Sequence, residues 1–211
     1  MEVKNQKFYH IHRVDERCVA WQPGMLISVD KGRVNFYHDY YNHRAWKWFA
    51  PGDTRERHLV AALEYFLNLP KEQKRDSYEQ CLQQAYEALK SKAGFVQNTI
   101  FEEVRREHFP HLPSRFSCIW LCRSTAVEFW SSKLDFPLKQ IVEVSATGIM
   151  HTADEKYLCS DTISHNHLRQ LAFMYWTGTD GESCNEEILF EGILQVNNVF
   201  ADINAYKASK Q

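Results

Sequence analysis

Residues 185–200, NEEILFEGILQVNNVF, decide the fold of this chain. The apolar run predicts either one long strand or a kinked pair of strands. It opens with two adjacent carboxylates, Glu186 and Glu187. Side chains at successive strand positions point to opposite faces, so one of the two faces in and the other faces out. The simpler alternative is a solvated, charged entry to the strand.

Outward from this segment, strand and helix patterns alternate. Residues 139–152 (KQIVEVSATGIMHT) and 116–122 (FSCIWLC) have strand patterns. Helical patterns separate the strands at residues 125–134 and 165–176. A short strand is predicted near the amino end at residues 7–14, KFYHIHRV.

A helical block is predicted over about residues 54–109. Pro70 ends its first helix, a second covers about residues 71–92, and a third covers about 98–108. One face of the second helix carries Tyr78, Leu82, Ala85, Tyr86 and Leu89. The sequence therefore predicts an α+β fold in a single domain of residues 1–211, with the helical block inserted into a β-rich core.

Composition limits the classes of function. The chain has 211 residues, with 25 Lys and Arg against 27 Asp and Glu, a formal charge of −2. No global positive field attracts polyanions, so a nucleic-acid contact needs a local patch. No segment resembles a secretory signal or a membrane span, and the six cysteines form no CxxC pair. We therefore expect a cytoplasmic protein with free thiols, no metal site and no membrane contact.

Residues 36–49 form an unusually aromatic run, with seven aromatic residues in fourteen. Three interpretations stay open: aromatic core, a lid over a ligand, or rings that stack on nucleic-acid bases. In the third, the substrate-binding residues are Arg44, Trp46 and Trp48.

Five short motifs occur in order along the chain: FYHIHR, SCIWLCRSTAVEFW, QIVEVSATG, LAFMYWTG and NEEILFEG. Together they resemble the mono-ADP-ribosyltransferase superfamily, and the last two are most similar to the DarT-type nucleic-acid-modifying toxins. The resemblance implies a split antiparallel β-sheet core that binds NAD as substrate. It also implies a toxin that transfers ADP-ribose to RNA or DNA and has an antitoxin or immunity partner. A protein acceptor is the alternative within this class.

The resemblance assigns the reacting end of the site. Glu187 matches the catalytic glutamate, because it directly precedes an apolar run as the family glutamate does. It would stabilise the oxocarbenium-like ribose and activate the acceptor. His10 matches the strand-one histidine that holds the ribose and adenosine end of NAD. Asn185, two positions before Glu187, departs from the Glu or Gln of the arginine-modifying branches and so disfavours an arginine acceptor.

The remaining cofactor-binding candidates follow from the negatively charged diphosphate of NAD and from the family motif. Arg13 and Arg115 are candidates for its diphosphate, with a surface arginine as the alternative for each. The family motif has a middle position on its second strand. In this sequence the candidates for that position are Trp120 on the strand and Ser124 just after it. A second class of function stays open: a catalytically silent module that binds a nucleotide or a partner.

Overall fold

The computed structural model describes residues 1–30, 32, 35, 48–49, 56–57, 59–75, 78–158, 164–178 and 185–210. The strands within these ranges are β1 (Glu2–Arg13), β2 (Leu26–Val29), β3 (Trp48–Phe49), β4 (Glu56–Arg57), β5 (Ile119–Leu121), β6 (Lys139–Asp154) and β7 (Glu186–Phe200). The helices are α1 (Leu59–Leu67), α2 (Lys71–Arg75), α3 (Tyr78–His108), α4 (Val127–Lys133), α5 (His165–Thr177) and α6 (Ile203–Ala208). Helices combined with an antiparallel sheet confirm the predicted α+β class.

The fold-deciding segment forms one long strand, β7, and not two. It pairs antiparallel with β6 along nearly its whole length. Gly148 and Gly192 lie opposite each other in this pairing. A Cβ on Gly192 would overlap the carbonyl oxygen of Thr147 and would lie 2.7 Å from the Cα of Gly148. Only glycine permits so close an approach of the two backbones.

The five-stranded sheet has the order β1-β6-β7-β2, with β5 also paired to β7. β5 uses the amino-terminal part of β7, and β2 uses the middle. Just after β5, Cys122 exchanges two backbone hydrogen bonds with Tyr9 of β1, at 2.8 and 2.9 Å. This bridge joins β5 to the free edge of β1, so the sheet curls towards a closed barrel.

The curled sheet has an inner and an outer face, and both are covered. The inner face, as we define it, is the one that carries Phe8, Val142 and Phe190 in a common apolar cluster. The outer face packs against helices in two places. One outer cluster includes Phe101 of α3 and Tyr175 of α5, and the other forms around α4 and α6. Because both faces of β7 are buried, its sequence is a continuous apolar run and does not alternate between apolar and polar residues.

The bounds of the helical block differ from their prediction. β4 (Glu56–Arg57) lies at the predicted start of the block, and α1 begins at Leu59. The predicted bounds of the second and third helices are wrong, because a separate short α2 precedes one continuous α3 of 31 residues. Gly94 does not break α3, and its carbonyl oxygen accepts a hydrogen bond from the Asn98 side chain at 2.6 Å. The carboxyl-terminal part of α3 is buried against α5. This packing offsets the low helix propensity of the glycine.

Candidate functional site

Glu186 and Glu187 point to opposite faces of the sheet, as the strand pattern predicts. Glu187 lies opposite Ala153, which belongs to the outer cluster with α3 and α5. Glu186 has the same strand parity as Ile188 and Phe190, which belong to the inner cluster. Both carboxylates are buried, with 3% and 9% of their surface exposed. The alternative of a solvated, charged entry to the strand is therefore wrong, because both carboxylates are buried.

Glu187 belongs to a buried polar cluster. Its Oε2 accepts hydrogen bonds from Nη1 of Arg115 and from the hydroxyl of Tyr175, each at 2.7 Å. Nη1 of Arg115 also donates to the Tyr175 oxygen at 2.5 Å, and Nε donates to Asn98 Oδ1 at 3.2 Å. Burial raises the pKa of Tyr175 well above its usual value. The negative charge of Glu187 also raises this pKa, and the positive charge of Arg115 lowers it. The phenol therefore stays protonated and keeps donating.

This buried polar cluster brings together three of the residues proposed from the sequence. The guanidinium of Arg115 lies 5.7 Å from the centre of the Trp120 ring, beside Glu187 on the outer face. Arg115 is only 3% exposed. A diphosphate would have to replace a buried carboxylate to bind it, which is costly. The cluster joins α3, β7 and α5, an arrangement typical of structural support.

Glu186 has different surroundings on the inner face. Its Oε2 accepts a hydrogen bond from Nε of Arg123 at 3.0 Å. Its Oε1 is buried, and no residue in the described part of the chain donates to it. Burial raises the pKa of Glu186, and the Arg123 charge opposes that shift. A buried acceptor without a donor costs roughly 1–3 kcal/mol, so this oxygen calls for an explanation.

His10 also lies on the inner face, because it pairs with Val142 of the inner cluster. Its Nδ1 is 2.9 Å from the carbonyl oxygen of Trp120. A carbonyl only accepts, so Nδ1 donates this hydrogen bond. The ring lies 5.1 Å from that of Trp21, which stacks on His12 at 4.5 Å.

The strand register relates His10 to Glu186. The Tyr9–Cys122 bridge and the Leu121–Ile188 pair make β1, β5 and β7 successive strands. Glu186 therefore lies in line with Phe8, and His10 shares the inner face two strands away and two residues further along β1, roughly 12 Å between the Cα atoms by ordinary strand geometry. His10 and Glu187 do not converge, because they point to opposite faces.

The other proposed residues lie apart from this pair. Arg13 forms an ion pair with Asp15 at 2.5 Å and lies over the Phe136 ring. Ser124 is exposed and starts the short 3-10 turn before α4. Trp48 belongs to β3, but its side chain lies outside the described residues. The whole of Arg44 and Trp46 lies outside them too.

Arg123 is the functional candidate that sequence reasoning missed. It follows Leu121 by two positions, and Leu121 belongs to the inner cluster. Strand alternation could have placed Arg123 on the inner face together with Glu186. The cue was weak, because β5 is only three residues long.

The described residues contain no group of three or more His, Cys, Asp or Glu side chains placed to hold a metal ion. Among the same residues, no helix is long and apolar enough to cross a membrane.

Fold and site together define an α+β protein with a curled antiparallel sheet and a half-satisfied carboxylate on its inner face. The chain belongs to the family described as protein of unknown function (DUF2441), which matches residues 8–204. That match spans β1 from Phe8 onwards, β2 to β7, α1 to α5 and both candidate faces. No curated protein matches the chain.

Proposed function

We propose that the protein is an NAD-dependent mono-ADP-ribosyltransferase whose reactive carboxylate is Glu186. The observation that carries the proposal is the buried Oε1 of Glu186, which no described residue satisfies, on the face that also carries His10. The motif order along the chain supports the same class. The antiparallel sheet, with β1, β5 and β7 as neighbours, is compatible with a split-sheet core.

The reaction requires an anionic acceptor of hydrogen bonds beside the ribose. When the nicotinamide–ribose bond of NAD breaks, nicotinamide leaves with the bonding electrons and positive charge grows on the ribose. Ionised Glu186 stabilises that charge, and its Oε1 accepts a hydrogen bond from a ribose hydroxyl. The acceptor's oxygen or nitrogen then bonds to the ribose carbon, and Glu186 takes the proton that the acceptor loses.

Neighbouring side chains suit the rest of the substrate. Arg123 is 37% exposed on its side chain and is available to a phosphate beside its contact with Glu186. His10 is held on the same face by the contact of its Nδ1 with the Trp120 carbonyl, within reach of a sugar hydroxyl. The rings of Trp21 and His12 stack on each other beside His10, and both are buried. Because Oε1 itself is buried, binding must move a covering side chain aside.

The acceptor and the biological role rest on the resemblance. We propose nucleic acid, RNA or DNA, as the acceptor and a toxin with an antitoxin or immunity partner as the role. Arg44, Trp46 and Trp48 stay the candidates for stacking on bases. A protein acceptor is the second choice.

Isotopically labelled NAD tests the proposal. The purified chain is incubated with it and with RNA, DNA or cell extract, and label transfer and nicotinamide release are measured. We expect transfer by the wild-type chain and a loss of about 10²–10³-fold for Glu186→Gln, the size found when one transition-state contact is removed. Its melting temperature should stay close to that of the wild type, because Arg123 is partly solvated.

Glu187→Gln is the matched control. It leaves the Arg115 charge buried without its partner, so we expect a loss of about 3–5 kcal/mol in the free energy of unfolding. The folded fraction should keep its transfer activity per molecule. Absence of transfer and of nicotinamide release by folded wild-type protein would refute the enzyme. If activity survives in Glu186→Gln and disappears in folded Glu187→Gln, the reactive carboxylate is Glu187 and not Glu186.

A further inference from the structure

The segment that follows β5 makes two separate contacts with Glu186. The pairing of β5 with β7 stops at Leu121, which lies opposite Ile188. The chain then continues through Arg123 into α4. Nε of Arg123 donates to Oε2 of Glu186, and the indole Nε1 of Trp130 donates to the backbone carbonyl oxygen of Glu186, each at 3.0 Å. This one segment therefore holds both the side chain and the main chain of the glutamate.

Trp130 is itself held by its surroundings. Its ring packs against the outer apolar cluster that includes Val127. The Phe129 ring meets it edge-on, with ring centres 5.2 Å apart, and the ammonium of Lys133 lies 5.3 Å from its centre. A side chain whose rotamer is fixed by packing keeps its polar atoms aimed at one point. The Glu186 carbonyl therefore receives its hydrogen bond from a rigid donor.

Arg123 determines which carboxylate oxygen of Glu186 is left for a ligand. Its guanidinium binds Oε2, so Oε1, to which no described residue donates, is the oxygen that remains. Burial raises the pKa of Glu186, and the charge and the hydrogen bond of Arg123 lower it. Arg123 therefore favours the ionised carboxylate, the form that stabilises a positively charged ribose.

The other titratable groups on this face do not replace Arg123. Asp154 lies opposite Glu186 on β6, so the two side chains share the inner face. The Asp154 carboxylate accepts from the backbone N–H of Lys156 at 2.9 Å and pairs with its ammonium at 3.0 Å. His10 lies two strands away on the same face. The direct ion pair that opposes the burial of Glu186 is the one with Arg123.

We propose that residues 123–130 are the positioning element of the reactive carboxylate, in which Arg123 orients the side chain of Glu186 and Trp130 fixes its backbone. This inference rests on the proposed function, because it takes Glu186 as the reacting group. Each of the two positioning residues acts through Glu186. Loss of the Arg123 charge should therefore change the ionisation of Glu186, and loss of the Trp130 donor should change its placement.

Carbon-13 NMR of the side-chain carboxyl groups tests Arg123 without any need for activity. The signal of Glu186 is assigned by its absence in Glu186→Gln. In Arg123→Gln we expect Glu186 to protonate at a higher pH than in the wild type, and Arg123→Lys, which keeps the charge, should restore the wild-type titration. Lys133→Gln is the matched control, because it removes a positive charge of α4 that pairs with Glu155. It should leave the titration of Glu186 unchanged.

The same spectra test Trp130. Trp130→Phe keeps an aromatic ring in the outer cluster and removes the N–H donor. We expect the carboxyl signal of Glu186 to shift or broaden in this variant. The signal of Glu143, near the opposite end of β6, should stay in place and serves as the internal reference. Circular dichroism confirms that each variant is folded.

Transfer kinetics with labelled NAD give the second readout. In Trp130→Phe we expect kcat to fall roughly 10–100-fold, the size found for a small misplacement of a reacting group, and KM for NAD to stay within about twofold. In Arg123→Gln the acid limb of kcat/KM should move to higher pH, and Arg123→Lys should reverse the move. Lys133→Gln should keep the wild-type rate and pH profile.

The outcomes separate this inference from the proposed function. Folded wild-type protein without transfer would refute the enzyme, and the NMR spectra would still decide whether the segment positions Glu186. An unchanged Glu186 titration in Arg123→Gln would overturn the role of Arg123. An unchanged Glu186 signal in Trp130→Phe, or an unchanged kcat in an active enzyme, would overturn that of Trp130.

Discussion

Glu186 and Glu187 are neighbours in sequence that meet different electrostatic surroundings. Oε2 of Glu187 accepts hydrogen bonds from the buried guanidinium of Arg115 and from the Tyr175 hydroxyl, so this oxygen is satisfied. Glu186 meets a partly exposed Arg123 and keeps one oxygen to which no described residue donates. The buried Oε1 of Glu186 can accept a further donor without the loss of an existing bond, whereas Oε2 of Glu187 must first give up its bond to Arg115 or Tyr175. We therefore assign the chemistry to Glu186 and a supporting role to Glu187.

The buried imidazole of His151 makes stability depend on pH. Burial lowers its pKa from 6.5 to about 4, while Nε2 donates to the carbonyl oxygen of Tyr175 at 3.1 Å. Between these two values the unfolded chain binds a proton that the folded chain does not. The contribution of His151 is fully present above pH 6.5 and is lost as pH falls towards 4, in total about 3 kcal/mol. Urea unfolding at pH 7 and at pH 4.5 measures this loss.

His151→Gln supplies the control for this pH dependence. The amide can still donate to the Tyr175 carbonyl but does not titrate. We expect the variant to lose less stability than the wild type between pH 7 and 4.5, although other groups also titrate there. Equal losses in the two proteins would exclude His151 as the source.

At the scale of elements, the paired glycines of β6 and β7 determine how closely the two longest strands approach. Gly192→Ala places a methyl group against the Thr147 carbonyl and the Gly148 backbone, at a φ of +145°. We expect a loss of about 2–3 kcal/mol in the free energy of unfolding, measured in urea. Gly32→Ala, where a new Cβ meets only the Asp30 side chain at 3.2 Å, should cost less than about 1 kcal/mol. Equal losses would show that the strands can separate to accept the methyl group.

α3 shows why element boundaries were harder to predict than element types. The strands near residues 7–14, 139–152 and 185–200 were predicted from local pattern and are confirmed with longer or similar bounds. The break within α3 was predicted from local composition, but packing of its buried half against α5 overrides it. Long-range packing of this kind has no local signal.

At the scale of the whole molecule, the sheet and the helical block should differ in local stability. Residues of β6 and β7 such as Ile141, Val144 and Leu194 have no exposed surface. In α1, by contrast, only Ala62 and Phe66 are buried among the residues whose side chains are described. We expect amides of β6 and β7 to exchange hydrogen only on global unfolding and those of α1 to exchange by local opening. Peptide-level hydrogen exchange measures both, and protection of α1 equal to that of β7 would contradict this expectation.

The sequence alone determined four strands (β1, β5, β6 and β7), the helices α4 and α5, the α+β class, and the placement of two adjacent glutamates on opposite faces of one strand. These properties follow from the local periods of strand and helix. Only the tertiary structure decided which glutamate shares a face with His10 and which is enclosed with Arg115 and Tyr175. That choice depends on how the sheet curls and on which helices cover its outer face. Both are set by contacts between residues far apart in the chain, which a local pattern does not encode.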